Sequence, residues 1–109
     1  MFMNYMAKFQ DKVKRFMKEN KMNNPIEYCF LDLVSELGEV AKEIIKMSNY
    51  GTKKPKFKKE IIGELGDVFY SLITVANHYN VDLEDALNMI LEKYNKRIKT
   101  GGHSGSENE

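Results

Sequence analysis

The sequence predicts an all-α fold, a four-helix bundle subunit that is expected to be completed by association with further copies of itself. Three observations predict it. Apolar residues recur every three or four positions in four separate stretches. The only two prolines, Pro25 and Pro55, stand where one such stretch ends and the next begins. No stretch alternates apolar and polar residues in the manner of a strand, and no glycine-rich phosphate loop occurs.

The first helix is predicted from about Asn4 to Asn20, with Tyr5, Phe9, Val13 and Phe16 on one face, and Asn23, Asn24 and Pro25 break the chain after it. The second begins near Ile26 and carries Phe30, Leu33, Leu37, Val40, Ile44 and Ile45, with Gly51 as its expected left-handed cap. A lysine-rich turn from Lys53 to Lys59 follows, and the third helix resumes near Phe57 with Ile61, Leu65, Val68, Leu72, Ile73 and Ala76. Asp82 is the expected N-cap of the fourth, with Glu84 and Asp85 in its first turn facing the positive end of the helix dipole. Residues 1–100 form the expected domain, and residues 101–109, rich in glycine, serine and acid, read as a flexible tail.

A chain of 109 residues suits one domain and leaves much of its surface unburied, so a second copy would add core. Seventeen basic and sixteen acidic side chains nearly cancel, which provides no global field for a nucleic acid polymer or a membrane. Cys29 is the only cysteine, so no internal disulfide is possible. Met1 to Asn20 contains no uninterrupted apolar run and is read as neither a signal peptide nor a membrane span. A cytoplasmic location is the resulting expectation.

The acids of the second and third helices carry the chemistry. Asp32, Glu36, Glu39 and Glu43 are spaced four, three and four, and Glu60, Glu64 and Asp67 four and three, with Ser71 as the next member. Residues so spaced share a helix face. In an antiparallel hairpin, opposed residues have numbers of constant total, and Glu36 with Asp67, Glu39 with Glu64, and Glu43 with Glu60 all satisfy that condition. The two stripes therefore meet in register. Confined carboxylates repel unless some take up protons or a cation lies between them. All-oxygen ligation suits magnesium, with manganese as a substitute, better than zinc. Gly38, Gly63 and Gly66 interrupt the same helices, each at about 1 kcal/mol against alanine, so close helix approach or room for a ligand is expected beside the acids.

At these residues the sequence resembles the MazG-like family of all-α nucleoside triphosphate pyrophosphohydrolases. The resemblance lies in Glu36-Leu37-Gly38-Glu39 followed by Glu64-Leu65-Gly66-Asp67, within the longer runs Leu33 to Val40 and Glu60 to Val68, and extends to Val81 to Ala86 at the entry to the last helix. It covers the second to fourth helices well and the first only in pattern. It implies a magnesium site formed by Glu36, Glu39, Glu64 and Asp67 and a subunit that forms a homodimer or homotetramer. It also implies cleavage of the α–β phosphoanhydride of a nucleoside triphosphate to the monophosphate and pyrophosphate, in removal of damaged nucleotides or control of a nucleotide pool. Glu36 or Glu39 is expected to orient or deprotonate the attacking water.

The resemblance also implies substrate phosphate at Lys93 and Arg97, spaced i, i+4 on the last helix, for which solvent-facing side chains are the competing reading. Lys42 is a further phosphate candidate, for which a surface pair with Glu39 is the competing reading. A carboxylate-bridged di-iron bundle would need two Glu-x-x-His motifs, and Glu39 and Asp67 stand where histidines would be. The remaining alternative is a helical regulatory module that has kept the fold and lost catalysis.

Overall fold

The structure, a computed structural model, describes residues 4–101. Among them are four helices and no strand: α1 (Tyr5–Glu19), α2 (Ile26–Met47), α3 (Glu60–His78) and α4 (Leu83–Gly101). The predicted tail lies outside the described residues except for Gly101, the last residue of α4.

Local chemistry accounts for the helix ends. Asn4 caps α1 by accepting the Ala7 N–H at 2.8 Å. Asp82 caps α4 as predicted, its Oδ1 accepting the N–H groups of Glu84 at 2.9 Å and Asp85 at 3.0 Å. The two caps are themselves joined, since Asn4 Nδ2 donates to Asp82 Oδ2 at 2.8 Å. The starts of α1 and α4 are thus tied at one point.

Helices α1, α2 and α3 end in the same way. The residue after each C-cap is left-handed, Lys21 (φ 54°), Asn49 (φ 46°) and Asn80 (φ 54°). Its N–H reaches back to Lys18, Lys46 or Asn77, and the next N–H, of Met22, Tyr50 or Val81, reaches Met17, Ile45 or Ala76 at 2.8–2.9 Å. This is the Schellman arrangement. It corrects the expectation for α2: Asn49 is its left-handed cap, and Gly51 (φ 82°) lies two residues further into the turn. The start of α3 also differs, falling at Glu60 rather than Phe57. The Lys56 N–H donates to the Met47 carbonyl at 2.8 Å, which holds this segment against the end of α2 and keeps Phe57 out of the helix.

Helices α2 and α3 pack along each other as an antiparallel hairpin; α1 lies on α3, and α4 leans on α1. Two edge-to-face aromatic pairs line the α1–α3 seam, Phe9 with Phe69 at 5.9 Å and Phe16 with Tyr70 at 6.2 Å. Gln10 is buried beneath them and fully bonded. Its Nε2 donates to Val81 O at 2.7 Å and Asn77 Oδ1 at 3.1 Å, and its Oε1 accepts the Leu83 N–H at 2.9 Å. One side chain of α1 thereby fixes the α3–α4 turn.

The subunit is open. Its radius of gyration is 17.3 Å, against about 13 Å for a compact chain near this length. Cys29, Ile61, Ile73 and Ala76 are buried, but no residue of α4 is. Leu37, Ile44 and Leu65, expected on apolar faces, remain about half exposed, as do Leu87 and Leu91.

The left-handed Lys21 generates a test of the helix-end geometry. A non-glycine residue in this conformation costs roughly 1–2 kcal/mol. Lys21 is exposed, so Lys21→Gly is expected to raise unfolding stability by about 1 kcal/mol in urea titrations. A loss of stability would show that the lysine side chain contributes more than the backbone costs.

Candidate metal centre

The hairpin brings the carboxylates together. Oxygens of Glu36, Glu64 and Asp67 all lie within 4.8 Å of one another, Glu36 and Glu64 half-buried and Asp67 exposed. Glu36 comes from the middle of α2 and the other two from the first half of α3. Among the described residues this is the one group of three or more acids, histidines or cysteines close enough to hold an ion.

The other residues singled out in the sequence fall differently. Glu39 is exposed, one turn beyond Glu36, and outside the three-oxygen group. Glu43 is half-buried and outside the three-oxygen group, in a local pair with Lys46 at 3.7 Å. Lys42 is exposed and makes no ion pair with Glu39. Lys93 and Arg97 are half-buried on α4, the helix that leans on α1, and the Arg97 guanidinium lies 5.6 Å from the Tyr94 ring centre. Away from these residues, His78 is exposed and lies edge-to-face against Tyr79 at 5.1 Å.

The glycines separate two expectations. A methyl group placed at Gly38, Gly63 or Gly66 would meet nothing within 4 Å. Close helix approach within the subunit is therefore not their reason, and the space beside the acids is open.

One rung of the seam went unassigned in the sequence. Ser71 Oγ donates to Asp32 Oδ2 across the hairpin at 3.1 Å. The same constant-total rule that aligns the acids pairs these two residues, so the signal was present, but a serine among carboxylates does not suggest a metal ligand.

Charge crowding is visible at Glu36. Its carboxyl is held above its ordinary value of 4.5, first by desolvation and then by the charges of Asp67, Asp32, Glu64 and Glu39. A hard divalent cation among the oxygens would reverse that repulsion, so the donor set fits such an ion.

Fold and site together define an all-α subunit with opposed carboxylates on a helical hairpin, and comparison with known proteins gives this class its family. The MazG nucleotide pyrophosphohydrolase domain matches residues 26–101, and the chain belongs to that family of hydrolases acting on acid anhydrides. It is 37% identical over 70 residues to the YpjD protein of Bacillus subtilis, 62% of this chain and 61% of that protein, so the match spans less than two thirds of this relative. It is 30% identical over 89 residues to a phosphoribosyl-ATP pyrophosphatase of Clostridium acetobutylicum, 73% of this chain and 76% of that protein. Its structure resembles the crystal structure of a Bacillus-conserved MazG protein described as a nucleotide pyrophosphohydrolase, with a TM-score of 0.70 and 29% identity over 86% of this chain and 93% of that one. It also resembles the crystal structure of Bacillus subtilis YpjD, with a TM-score of 0.71 and 28% identity over 87% and 99%.

The raised Glu36 carboxyl has a consequence for stability. Above pH 4.5 the unfolded chain loses this proton before the folded chain does. The stabilisation is therefore present below 4.5 and is lost as pH rises through the higher folded value. Metal-free protein is expected to melt at progressively lower temperature over that interval, and Glu36→Gln to flatten the slope. Melting curves in EDTA across pH check this; a wild-type slope retained in the variant would assign the effect to another group.

Proposed function

We propose that the chain is a magnesium-dependent nucleoside triphosphate pyrophosphohydrolase, cleaving the α–β phosphoanhydride to give the monophosphate and pyrophosphate. The observation that carries this reading is the convergence of Glu36, Glu64 and Asp67 within 4.8 Å across the α2–α3 hairpin, in a chain of the MazG family. Glu36, Glu64 and Asp67, with Glu39 beside them, would hold the ion, and manganese would serve in its place. When bound, the metal supplies neutralisation of the polyphosphate and stabilisation of charge on its oxygens.

The protein groups divide the remaining work by position. Glu39 is exposed and outside the three-oxygen group, so of the four acids it is the one assigned to accept the proton of the attacking water at the edge of the metal site. Glu36, half-buried and crowded by charge, is assigned to the metal. Lys42 lies three residues beyond Glu39, makes no ion pair among the described residues and is assigned to substrate phosphate, with Lys93 and Arg97 of α4 as the further phosphate ligands. The open space at Gly38, Gly63 and Gly66 supports a substrate lying beside the acids.

The half-exposed apolar residues of α2, α3 and α4 support a homodimer or homotetramer. No helix among the described residues is long and apolar enough to cross a membrane. A cytoplasmic enzyme that removes damaged nucleotides or controls a nucleotide pool, without a nucleic acid polymer as partner, is the corresponding physiological reading. The phosphoribosyl-ATP pyrophosphatase among its relatives adds phosphoribosyl-ATP to the substrates to be tried.

Two outcomes test the proposal. Against canonical and modified nucleoside triphosphates and phosphoribosyl-ATP, the protein is expected to release monophosphate and pyrophosphate, or the equivalent products, with magnesium or manganese and not in EDTA. Glu39→Ala should lower kcat by about 10²–10⁴-fold. Release of orthophosphate would reassign the bond, and absence of turnover by folded protein would favour a non-catalytic module. Separately, Gly66→Ala is expected to raise stability by about 1 kcal/mol while lowering turnover. A stabilised variant with full activity would show that the space at Gly66 is not used by substrate.

A further inference from the structure

Ser71 is among the most buried side chains, 2% exposed, and its neighbour one turn closer to the C-terminus shows what a buried hydroxyl on this helix can do. Thr74 Oγ1 donates within its own helix, to the Ser71 carbonyl at 2.7 Å. Ser71 Oγ instead crosses to α2 and meets Asp32 Oδ2 at 3.1 Å. The bond is part-buried, with Ser71 buried and Asp32 half-buried. A hydrogen bond from a hydroxyl to a carboxylate is charge-assisted and stronger than one between neutral groups.

Asp32 makes no ion pair among the described residues, and its charge opposes that of Glu36 one turn away. Its presence therefore needs a geometric reason. The Asp32–Ser71 rung lies one helical turn, about 6 Å, from the Glu36–Asp67 rung on both helices. Beyond Glu36 in the other direction the hairpin is closed by its own turn, but at the Asp32 end no connection joins α2 to α3.

We infer that Asp32 is a positioning residue that acts through Ser71: the bond between them clasps the hairpin one turn beyond the acids, on the side away from its connecting turn, and fixes the α2–α3 separation at which Glu36, Glu64 and Asp67 share one cation. This rests on the metal-dependent reading above. Asp32 does not itself ligate the ion, and Ser71 does not touch substrate. Loss of the clasp lets the carboxylates spread, which weakens metal binding before it weakens the fold.

The test is direct titration of the full chain with Mn²⁺, read by electron paramagnetic resonance, with melting curves of the same samples. The chains compared are wild type, Asp32→Asn, Asp32→Ala, Ser71→Ala and the double variant Asp32→Ala/Ser71→Ala. Ser71→Ala and Asp32→Ala are each expected to raise the Mn²⁺ Kd about tenfold, the usual scale for groups that orient metal ligands. Asp32→Asn keeps an acceptor for the Ser71 hydroxyl and should stay within about threefold of wild type, far less affected than these. The double variant should bind no more weakly than either single one, since both remove the same bond. At saturating metal, KM for a nucleotide substrate should be unchanged. If Asp32→Asn is impaired as far as Asp32→Ala, charge and not the clasp is responsible, and the inference fails. Lower melting temperatures with unchanged Kd would reduce the pair to a structural contact. A wild type that binds no Mn²⁺ would overturn the metal reading and the clasp with it, whereas wild-type binding with unaffected variants would overturn the clasp alone.

Discussion

Like charge held against like charge along the α2–α3 seam is the constraint on which the other features of the structure depend. Three carboxylates converge from two helices, and desolvation and the neighbouring acids hold the Glu36 carboxyl above its ordinary value. Such an arrangement persists only if other contacts hold the helices together. Here the apolar contribution comes from Cys29, Ile61, Ile73 and Ala76, and the polar contribution from the Asp32–Ser71 bond. The seam is stable despite its acids, which is the condition for a site that gains from binding a cation.

A second set of polar contacts does for α1 and α4 what the apolar core does for the hairpin. Gln10 bonds the α3–α4 turn from beneath, and the N-caps of α1 and α4 bond each other through Asn4 and Asp82. These contacts orient α4 without burying it. Its apolar residues stay in the open, and with them much of the outer surface of α2 and α3. The single chain is therefore a positioned set of helices more than a closed bundle. The polar network sets the geometry, and much apolar area of the single chain stays exposed.

The helix caps and the carboxylate register were legible from the sequence because they are local or obey a simple rule. Asp82 precedes a turn with acids in its first positions, and its capping bonds follow from that. Glu36 meets Asp67, and Asp32 meets Ser71, in the one register that helical spacing and antiparallel pairing leave. The ends of α2 and the start of α3 were less legible. Asparagine at a left-handed cap competes with glycine, and the left-handed turn falls at Asn49, where its N–H bonds Lys46 and the N–H of Tyr50 bonds Ile45. Phe57 looked helical by period but is excluded by the bond from Lys56 to Met47.

What the sequence determined by itself was the helical class, the approximate helix bounds and the facing of two acidic stripes, because periodicity and hairpin register are properties of the chain alone. Which acids meet was decided by tertiary structure. Glu36, Glu64 and Asp67 converge while Glu39 stays outside, since rotation of each helix about its axis depends on what its opposite face packs against. Tertiary structure likewise decided that Ser71 bonds across the seam and not along its own helix, and that the glycines beside the acids border open space. Neither can be read from spacing, because both depend on the distance between two helices, a distance set by the packing of residues far apart in the chain.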